Sequence, residues 1–533
     1  MHKLLLYFNT VRRLKLIQLW YRIPVIRKIG HSDHAQRLDL QKAGVMGKWI
    51  PSVNAHQLYS KPGSFTFLNQ THSFTRDIDW DYNELGLLWT YNLNYFEYLE
   101  QSGMEKETGY KLIDDFLHKY PKIKIAHDPY PISLRLIFWI RFFIRQNKQP
   151  AERYLIALHE QAKELKSKLE YHLLGNHLLE NAYALFFTGS YLADERMIRQ
   201  AGKLLHEQLK EQILPDGGHF ELSPMYHQLM LYRLLDVINM ARISSSGKPA
   251  ALLPILEQKA SIMLSWMQQM SFSDGSFPLF NDAAYGIAPR PVEIAAYAGR
   301  LDISPKTQPL NESGYRKWIG NNWEMILDAG IPGPSYQPGH AHCDALSFVL
   351  QVNDKPVLVD TGTSVYGGDS QRRKKEKGTA AHNTVQIGNL EQSEIWGDFR
   401  MARRANIRIM LDVPGKIEAS HNGFYFKKEI HTRSFELKEQ NIIEILDNII
   451  NSSESIHKAR FHFYPGIVVN EIKDDLFDFG DGCFQFIHYN KITKFVYEYA
   501  PEFGKRVPAV GLEVSFGKKL ISTIKLLLPT DKR

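Results

Sequence analysis

Apolar residues recur at helical spacing along the first part of the chain, between about residues 101 and 318. Four stretches carry an apolar stripe at positions i, i+3, i+4 and i+7, as amphipathic helices do: "RYLIALHEQAKELKSKLEYHLL", "ERMIRQAGKLLHEQLKEQIL", "MYHQLMLYRLLDVINMARI" and "PILEQKASIMLSWMQQM". Gly-containing turns at residues 215–218 and 273–275 leave room for two helices between them. This repetition predicts stacked helical hairpins.

The pattern changes after about Trp323, where short β-branched and aromatic runs replace the helical stripes. "LSFVLQVNDKPVLVDTG" is typical of two strands joined by an Asn-Asp turn, and "ANIRIMLDV" and "NIIEILDNII" continue the pattern. Helices followed by strands, without alternation, predict an α domain joined to an antiparallel β domain. A Gly/Pro-rich stretch at residues 328–339 indicates the junction. We therefore predict a helical domain over residues 1–325 and a β domain over residues 326–533.

The net charge of +7 is concentrated at the start of the 533-residue chain. The first 30 residues hold seven Lys or Arg and no Asp or Glu, and the balanced remainder argues against a nucleic-acid-binding protein. A standard signal peptide fits badly, because "LLLYF" is soon followed by two arginines without a small-residue cleavage site. We expect this segment to form the first helix of the fold, with peripheral membrane contact as the alternative. No apolar run is long enough to span a membrane.

Two histidines stand one residue apart in "PGHAHCDALSF", just before the first predicted strand of a hairpin. In a strand, His340, His342 and Asp344 would project from the same face. An H-x-H pair alone also fits a purely structural role. Asp360 and His382 follow later strand segments, and two His with one Asp are a normal ligand set for zinc. A two-residue turn would place Asp360 near Ser347, so a longer loop, a bulge or a bend must bring it back to His342.

Three stretches of the helical half carry further candidates. In "LLGNHLLENA", Asn176 and His177 begin a helix, where the Asn is either an N-cap or a functional group. In "PDGGHFELSPMYHQL", Ser223 is the expected N-cap, which puts Tyr226 in the first turn of the next helix. Arg135 lies one helical turn before a tryptophan in "DPYPISLRLIFWI", which suits either packing or substrate binding.

Five motifs in this order resemble the heparinase II/III-type polysaccharide lyases: "GNHLLENA", "GGHFELSPMYH", "HAHCDALSFVL", "VLVDTGTSVY" and "AAHNTVQIGNLEQSEIWGDFR". The resemblance runs from about Trp89 to Arg404. It implies an α+β multidomain fold, in which an incomplete (α/α) toroid is followed by an antiparallel β-sandwich, with a cleft between them.

The resemblance also implies an activity, the cleavage of a uronic-acid-containing acidic polysaccharide by β-elimination. Asn176 and His177 would neutralise the uronate carboxylate, while Tyr226 would act as acid and base with His340 as its partner across the cleft. A tyrosine needs a lowered pKa to act as a base, and His177, Arg135 or the helix N-terminus are the expected causes. One divalent metal, best suited to Zn²⁺, would then be held structurally by three residues: His342, Asp360 and His382.

Other residues and other functions stay open at this point. Tyr366 and Arg372 are expected to line the cleft and bind substrate, and Arg403 or Arg404 could meet an acidic polymer. One alternative is a glycoside hydrolase that uses Asp216 and Glu221, and another is a non-catalytic protein of glycan binding or exopolysaccharide assembly. The family favours the periplasm or cell envelope, whereas the lack of a clear signal peptide leaves the cytoplasm open. No oligomeric state is indicated.

Overall fold

A computed structural model describes residues 2–23, 43–44, 46–244, 248–452 and 456–527. The helices are α1 (His2–Val11), α2 (Leu16–Trp20), α3 (Leu87–Tyr95), α4 (Lys106–Lys119), α5 (Pro129–Arg145), α6 (Glu152–Ser167), α7 (Gly175–Tyr191), α8 (Glu195–Gln212), α9 (Pro224–Ile243), α10 (Leu253–Met270), α11 (Pro291–Arg300) and α12 (Ser370–Lys377). All four stretches with a predicted helical stripe form helices.

The helices from α3 to α11 pack as hairpins around an apolar core and form the toroid. Helix α7 lies against α5, α6, α8 and α9, and nearly all of its residues are buried. By contrast α8 is amphipathic, and it buries one face that carries Leu205 and Leu209. Asp194 caps α8 by accepting a hydrogen bond from the backbone N–H of Met197, at 2.9 Å. The N-cap residue therefore indicates where this helix begins, and the spacing of its apolar residues indicates which face it buries.

The strands after residue 314 form a sandwich of two main antiparallel sheets. Their bounds are β4 (Tyr315–Ile319), β5 (Trp323–Asp328), β6 (Phe348–Val352), β7 (Lys355–Leu358), β8 (Val385–Ile387), β9 (Ile395–Trp396), β10 (Arg400–Met401), β11 (Ile407–Val413), β12 (Lys416–His421), β13 (Ile430–Glu439), β14 (Ile442–Ile450), β15 (His457–His462), β16 (Asn470–Lys473), β17 (Leu476–Asp478), β18 (Gly482–Glu502) and β19 (Lys505–Leu526). Three short strands precede the toroid: β1 (Tyr59–Lys61), β2 (Ser64–Phe67) and β3 (Gln70–Ser73).

The two sheets pack face to face. One has the order β4-β5-β6-β7, and the other has the order β11-β12-β13-β14-β19-β18-β17-β16, with β15 joined to β19 and β8. Phe348 of the first sheet lies 5.5 Å from Phe435 of the second, measured between ring centroids. The predicted fold class, a helical toroid followed by an antiparallel β-sandwich, is confirmed. The sheet begins at Tyr315, however, and residues 328–339 connect two of its strands, so the strands start before the predicted boundary at residue 326.

The predicted hairpin around Asn353 and Asp354 is present, and both residues have positive φ angles of 52° and 57°. These angles suit a tight turn between twisted strands. The pairing shifts by a bulge between Leu350 and Gln351, as the position of Asp360 required. Strand β6 begins only at Phe348, so the prediction that the two histidines share a strand face was wrong, and both lie in the preceding loop.

The basic N-terminal segment forms α1 and α2, which confirms the first-helix prediction over its described part. Tyr7 lies 4.8 Å from Trp396 of the sandwich, and Tyr21 lies 4.6 Å from Tyr171 of the toroid, both between ring centroids. The segment therefore crosses from one domain to the other. The rest of the basic stretch, from residue 24, lies outside the described residues. Among the described helices, none is long and apolar enough to cross a membrane.

Candidate active site

Tyr226 and His340 meet where the toroid faces the sandwich. Ser223 caps α9 and accepts a hydrogen bond from the backbone N–H of Tyr226 at 3.2 Å, so the phenol lies in the first helical turn, as predicted. The imidazole of His340 comes from the loop before β6. The two ring centroids are 4.0 Å apart and the ring planes are tilted by 34°. A side chain from each domain thus reaches the same small space.

Asp282 orients both histidines of the H-x-H pair. Its Oδ2 accepts a hydrogen bond from Nδ1 of His340 and its Oδ1 accepts one from Nε2 of His342, each at 2.8 Å. Arg373 donates to the same carboxylate, which is fully buried. The two imidazoles are therefore aimed by one carboxylate between them. In the neutral ring, a proton on Nδ1 of His340 leaves Nε2 free as an acceptor.

Asn176 is held by a buried carboxylate, that of Glu221. The amide nitrogen of Asn176 donates to both oxygens of Glu221, at 3.0 and 2.9 Å, and its backbone N–H donates to Oε1 at 2.9 Å. Gly175 permits this approach, because a β-carbon there would lie 2.6 Å from Oε1. The N-cap position of α7 is occupied by Leu174, so Asn176 is not the N-cap. Nε2 of His340 lies 3.7 Å from Glu221, which joins these groups into one site.

His177 follows on the same helical turn and remains partly exposed. Its Nδ1 forms a 3.0 Å hydrogen bond with Glu170, a buried carboxylate that also accepts from Asn181. Burial opposes a charge on the imidazole, but the carboxylate of Glu170 outweighs it and raises the pKa of His177 above 6.5. A histidine with this partner can carry a positive charge toward an acidic ligand.

The predicted lowering of the tyrosine pKa was wrong. Burial raises the pKa of Tyr226 well above 10, the carboxylates of Asp282 and Glu221 add to the rise, and Tyr366 and Arg373 only partly oppose it. Its phenol is therefore neutral at physiological pH, which is the form that donates a proton.

The three predicted metal ligands are buried and close to one another, but they mainly bind protein groups. Nδ1 of His382 is 2.7 Å from Asp360, and the rings of His342 and His382 have centroids 5.3 Å apart. Across the described residues, no group of three or more His, Cys, Asp or Glu is arranged to hold a metal ion. Within the same part of the chain, Nδ1 of His342, Nε2 of His382 and Oδ2 of Asp344 are nevertheless buried without a hydrogen-bond partner. Two imidazole nitrogens and a carboxylate oxygen are donor atoms that suit zinc.

Of the predicted substrate-binding residues, only Tyr366 reaches the site. Its ring lies 6.0 Å from that of His340 and 5.3 Å from that of Phe399. Arg135 was wrongly predicted: it is fully buried and donates to Gln161 and to backbone carbonyls. Arg372 is paired with two carboxylates on its own helix and on β18, so it is not a free substrate ligand.

Three residues that build the candidate site were not predicted from the sequence: Glu221 in its orienting role, Asp282 and Arg373. Asp282 lies in a loop, in "LFNDAAYG", with no periodic or motif signal. Arg373 stands next to Arg372, which the sequence had suggested, in a helix with a run of consecutive basic residues. It stacks on Tyr366, with its guanidinium carbon 4.9 Å from the ring centroid. Only tertiary contacts distinguish these residues from their neighbours.

Asp216, one of the two carboxylates that a glycoside hydrolase would need, is occupied by hydrogen bonds within the protein. Oδ2 of Asp216 accepts hydrogen bonds from the backbone and hydroxyl of Ser313 and from the backbone of Asn311, and Oδ1 accepts from Gly218. Asp216 therefore fixes a turn beneath the sandwich. Glu221 is the only member of that pair that contacts the site residues described above.

Two family models match the chain in succession. The model described as heparinase II/III N-terminus matches residues 136–310, and the heparinase II/III-like C-terminal model matches residues 303–516. Together they extend over more than half of the chain, across the toroid and into the last strand of the sandwich.

Individual proteins give more distant similarities. Heparin-sulfate lyase of Bacteroides stercoris is 23% identical over 346 residues, which are 58% of this chain and 48% of that protein, so the match spans about half of the relative's length. FtsZ-localized protein C of Caulobacter vibrioides is 31% identical over 158 residues, 29% of this chain and 26% of that protein. The crystal structure of heparinase III has a TM-score of 0.67 at 16% identity, covering 97% of this chain and 90% of that chain, and it supports the fold. With both halves matched in order, the chain belongs to the heparinase II/III family.

Proposed function

We propose that the protein cleaves a uronic-acid-containing acidic polysaccharide by β-elimination. The observation that carries the proposal is the contact of Tyr226 with His340, at 4.0 Å between ring centroids, beside the Asn176–Glu221 pair. This arrangement offers an acid, a base and carboxylate-binding donors close to one another. The heparin-sulfate lyase relative supports the same class of substrate.

The uronate carboxylate has to be held first, because the proton on the neighbouring C5 is only weakly acidic. The amide of Asn176 and the charged imidazole of His177 are the donors that stabilise the negative charge developing there. Glu221 holds the amide before substrate arrives. The substrate carboxylate then competes with Glu221 for the amide hydrogens.

The base and the acid follow from the hydrogen bonds of the two rings. Nε2 of His340 accepts the C5 proton, because Asp282 engages Nδ1 and aims the ring. The electron pair of the C5–H bond forms the C4=C5 double bond as the C4–O bond breaks. The neutral phenol of Tyr226 gives its proton to the departing glycosidic oxygen. The close contact of the two rings then permits the proton to return from His340 to Tyr226.

A structural metal is a separate part of the proposal. Support comes from Nδ1 of His342 and Nε2 of His382, which are buried without a hydrogen-bond partner among the described residues. The carboxylates of Asp360 and Asp344 lie close to His382. When bound, a zinc ion would rigidify the loop that carries His340, and the elimination itself would be left to Tyr226 and His340. Relaxation of the bond between Asp360 and His382 would free a carboxylate oxygen as a further ligand.

The decisive experiment is a panel of acidic polysaccharides, namely heparan sulfate, alginate, hyaluronan and bacterial capsules, followed by ultraviolet absorption. β-Elimination yields an unsaturated uronate that absorbs in the near ultraviolet. A hydrolase would release reducing ends without this absorbance, and a non-catalytic protein would bind polysaccharide without releasing either. Either of those results would overturn the proposed lyase activity.

A further inference from the structure

A cationic cavity lies between the N-terminal helix and the sandwich. It has a volume of about 810 Å³, and among the described residues it is lined by four arginines but by no aspartate or glutamate. The arginines come from two distant parts of the chain, at the end of α1 and just after β10. We call this cavity the arginine groove; its charged residues are Arg12, Arg13, Arg403 and Arg404.

Three of these guanidiniums have no carboxylate partner among the residues that the structure describes. In the part of the chain that the structure describes, only Arg403 forms an ion pair with a carboxylate, that of Glu394, at 3.0 Å. Arg404 is held by the backbone carbonyls of Pro334 and Ser335, which fix its direction without neutralising it. Nε of Arg13 and Nε of Arg404 are buried and have no hydrogen-bond partner among the described residues.

The positive charges also oppose one another. Burial and, to a smaller extent, the charge of Arg13 together lower the pKa of Arg404 to about 9. The pKa of Arg13 is lowered in the same way by its own burial and by Arg12. Like charges that are partly buried together cost free energy unless an anion compensates them. The groove therefore suits a negatively charged occupant.

The rest of the lining suits a sugar. Phe8 and Phe426 provide aromatic surface, and the side chains of Asn9, Asn406 and Asn422 line the same cavity. Amides can hydrogen-bond to hydroxyl groups, while arginine forks bind carboxylate or sulfate oxygens in pairs. Acidic carbohydrate presents all of these groups at once. A lipid surface would be recognised instead by exposed apolar side chains, which α1 also has at Leu4.

The groove and the active site share a wall. Gly333 lines the groove, and a β-carbon on it would lie 3.9 Å from the backbone oxygen of Glu221 and 3.8 Å from Ala341. The five residue steps from Ser335 to His340 can span at most about 18 Å. The groove therefore lies within the length of a few sugar residues of His340.

We propose that the arginine groove is an anion-binding subsite for sulfate or carboxylate groups of the polysaccharide, outside the point of cleavage. This inference rests on the proposed function for the identity of the polymer. It adds a specificity element from the N-terminal segment, and it predicts that long substrates bind better than short ones.

The test compares three variants. The combined variant carries both Arg13→Gln and Arg404→Gln, the second carries Arg12→Gln alone, and the control carries Arg408→Gln. Arg408 is exposed on β11 and does not line the groove. The combined variant is expected to bind heparan sulfate at least tenfold more weakly, because it loses two charged hydrogen-bond donors to the anionic groups of the polymer. Arg12→Gln, which cannot disturb a buried contact, is expected to weaken binding less, and the control is expected to leave it unchanged.

Turnover separates the subsite from the catalytic site. KM for heparan sulfate is expected to rise at least tenfold in the combined variant with kcat unchanged, while a tetrasaccharide is cleaved as by the wild type. Hyaluronan, which carries carboxylates but no sulfates, shows which anion the groove prefers. Combined substitution to lysine, which keeps the charges, is expected to restore part of the binding.

Several results would overturn the inference: equal binding by the combined variant and the wild type, an equal loss in Arg408→Gln, or a wild type that binds neither polymer. Loss of binding to phosphatidylglycerol vesicles, with polysaccharide binding intact, would assign the groove to a membrane and also refute it. One result would separate the two proposals: neither the wild type nor any variant forms ultraviolet-absorbing product, but only the combined variant loses heparan sulfate binding. The lyase proposal would then fail, while the anion-binding role of the groove would be supported.

Discussion

Asn176 and Glu221 form a buried pair in which the amide that is expected to meet substrate is already held by a protein carboxylate. Both oxygens of Glu221 accept from the amide nitrogen of Asn176. The pair fixes the direction of the amide before substrate binds. It also places a carboxylate beside His340, where the proposed acidic sugar would enter. Glu221 thus positions the amide of Asn176, but its own negative charge opposes the binding of a negatively charged substrate.

Glu221→Gln is expected to lower kcat about 10- to 100-fold while KM stays equal or falls. Glutamine offers one acceptor oxygen in place of two, so Asn176 is less well oriented, but the repulsion of the substrate carboxylate is removed. Steady-state kinetics on heparan sulfate measure the two effects separately. The double variant with Asn176→Ala should be no slower than Asn176→Ala alone, and multiplicative losses would show that Glu221 acts independently of Asn176.

Tyr226→Phe is expected to reduce kcat at least 100-fold, because the variant keeps the ring stacked on His340 but loses the proton donor. Ultraviolet product formation and thermal unfolding are measured together, and the melting temperature should change little. Tyr497→Phe is the matched control, since it removes only a hydroxyl that donates to the Phe463 carbonyl in the sandwich at 2.6 Å. Full activity in Tyr226→Phe would contradict the assigned acid.

The activity should fall as the pH rises through the pKa of His177. Glu170 holds this pKa above 6.5, so the imidazole is charged below it and neutral above it, where it attracts the substrate carboxylate less. Glu170→Gln is expected to move the alkaline limb of kcat/KM to lower pH, and ring titration by nuclear magnetic resonance reports the same pKa directly. Glu164→Gln removes a similar bond to His127, at 2.8 Å, and should leave the profile unchanged.

Local patterns predicted the parts of the site that depend on local chemistry. Ser223 is a typical N-cap and Pro224 a typical first helical residue, so residues 223–226 alone predicted that Tyr226 lies in the first turn of the helix. Arg372 and Arg373 are adjacent and of the same residue type, so the sequence does not distinguish them. In the fold, Arg373 pairs with Asp282 and Arg372 pairs with two glutamates. Arg135 shows the converse, since a charged residue on an apolar helix can be buried when backbone carbonyls satisfy it.

A buried ion pair should dominate the acid stability of the sandwich. Arg433 donates to Asp447 at 2.7 and 3.0 Å, and His431 also contacts this carboxylate. Although burial alone would raise it, the guanidinium lowers the pKa of Asp447 from 3.8 to about 2. The stabilisation is present above pH 3.8 and is lost as the pH falls toward 2, by about 2 kcal/mol.

Asp447→Asn should lower the free energy of unfolding by about 3 to 5 kcal/mol at neutral pH, because it leaves Arg433 buried without its counter-charge. Denaturant unfolding followed by circular dichroism measures the loss. Asp412→Asn breaks a half-exposed pair with Arg316 and should cost less than about 1 kcal/mol. Equal losses in the two variants would mean that burial does not set the strength of the Asp447 pair.

Metal analysis tests the proposed structural zinc site independently of turnover. We expect close to one zinc ion per chain in the wild type and in Tyr226→Phe, since the phenol is not a ligand. His342→Ala and His382→Ala should each lose the metal, because each removes one of the buried ring nitrogens that lack a partner in the described chain. A chelator should then lower the melting temperature of the wild type but not that of these two variants. A wild type that binds no metal and is insensitive to the chelator would mean that the histidines serve only to bind Asp282 and Asp360.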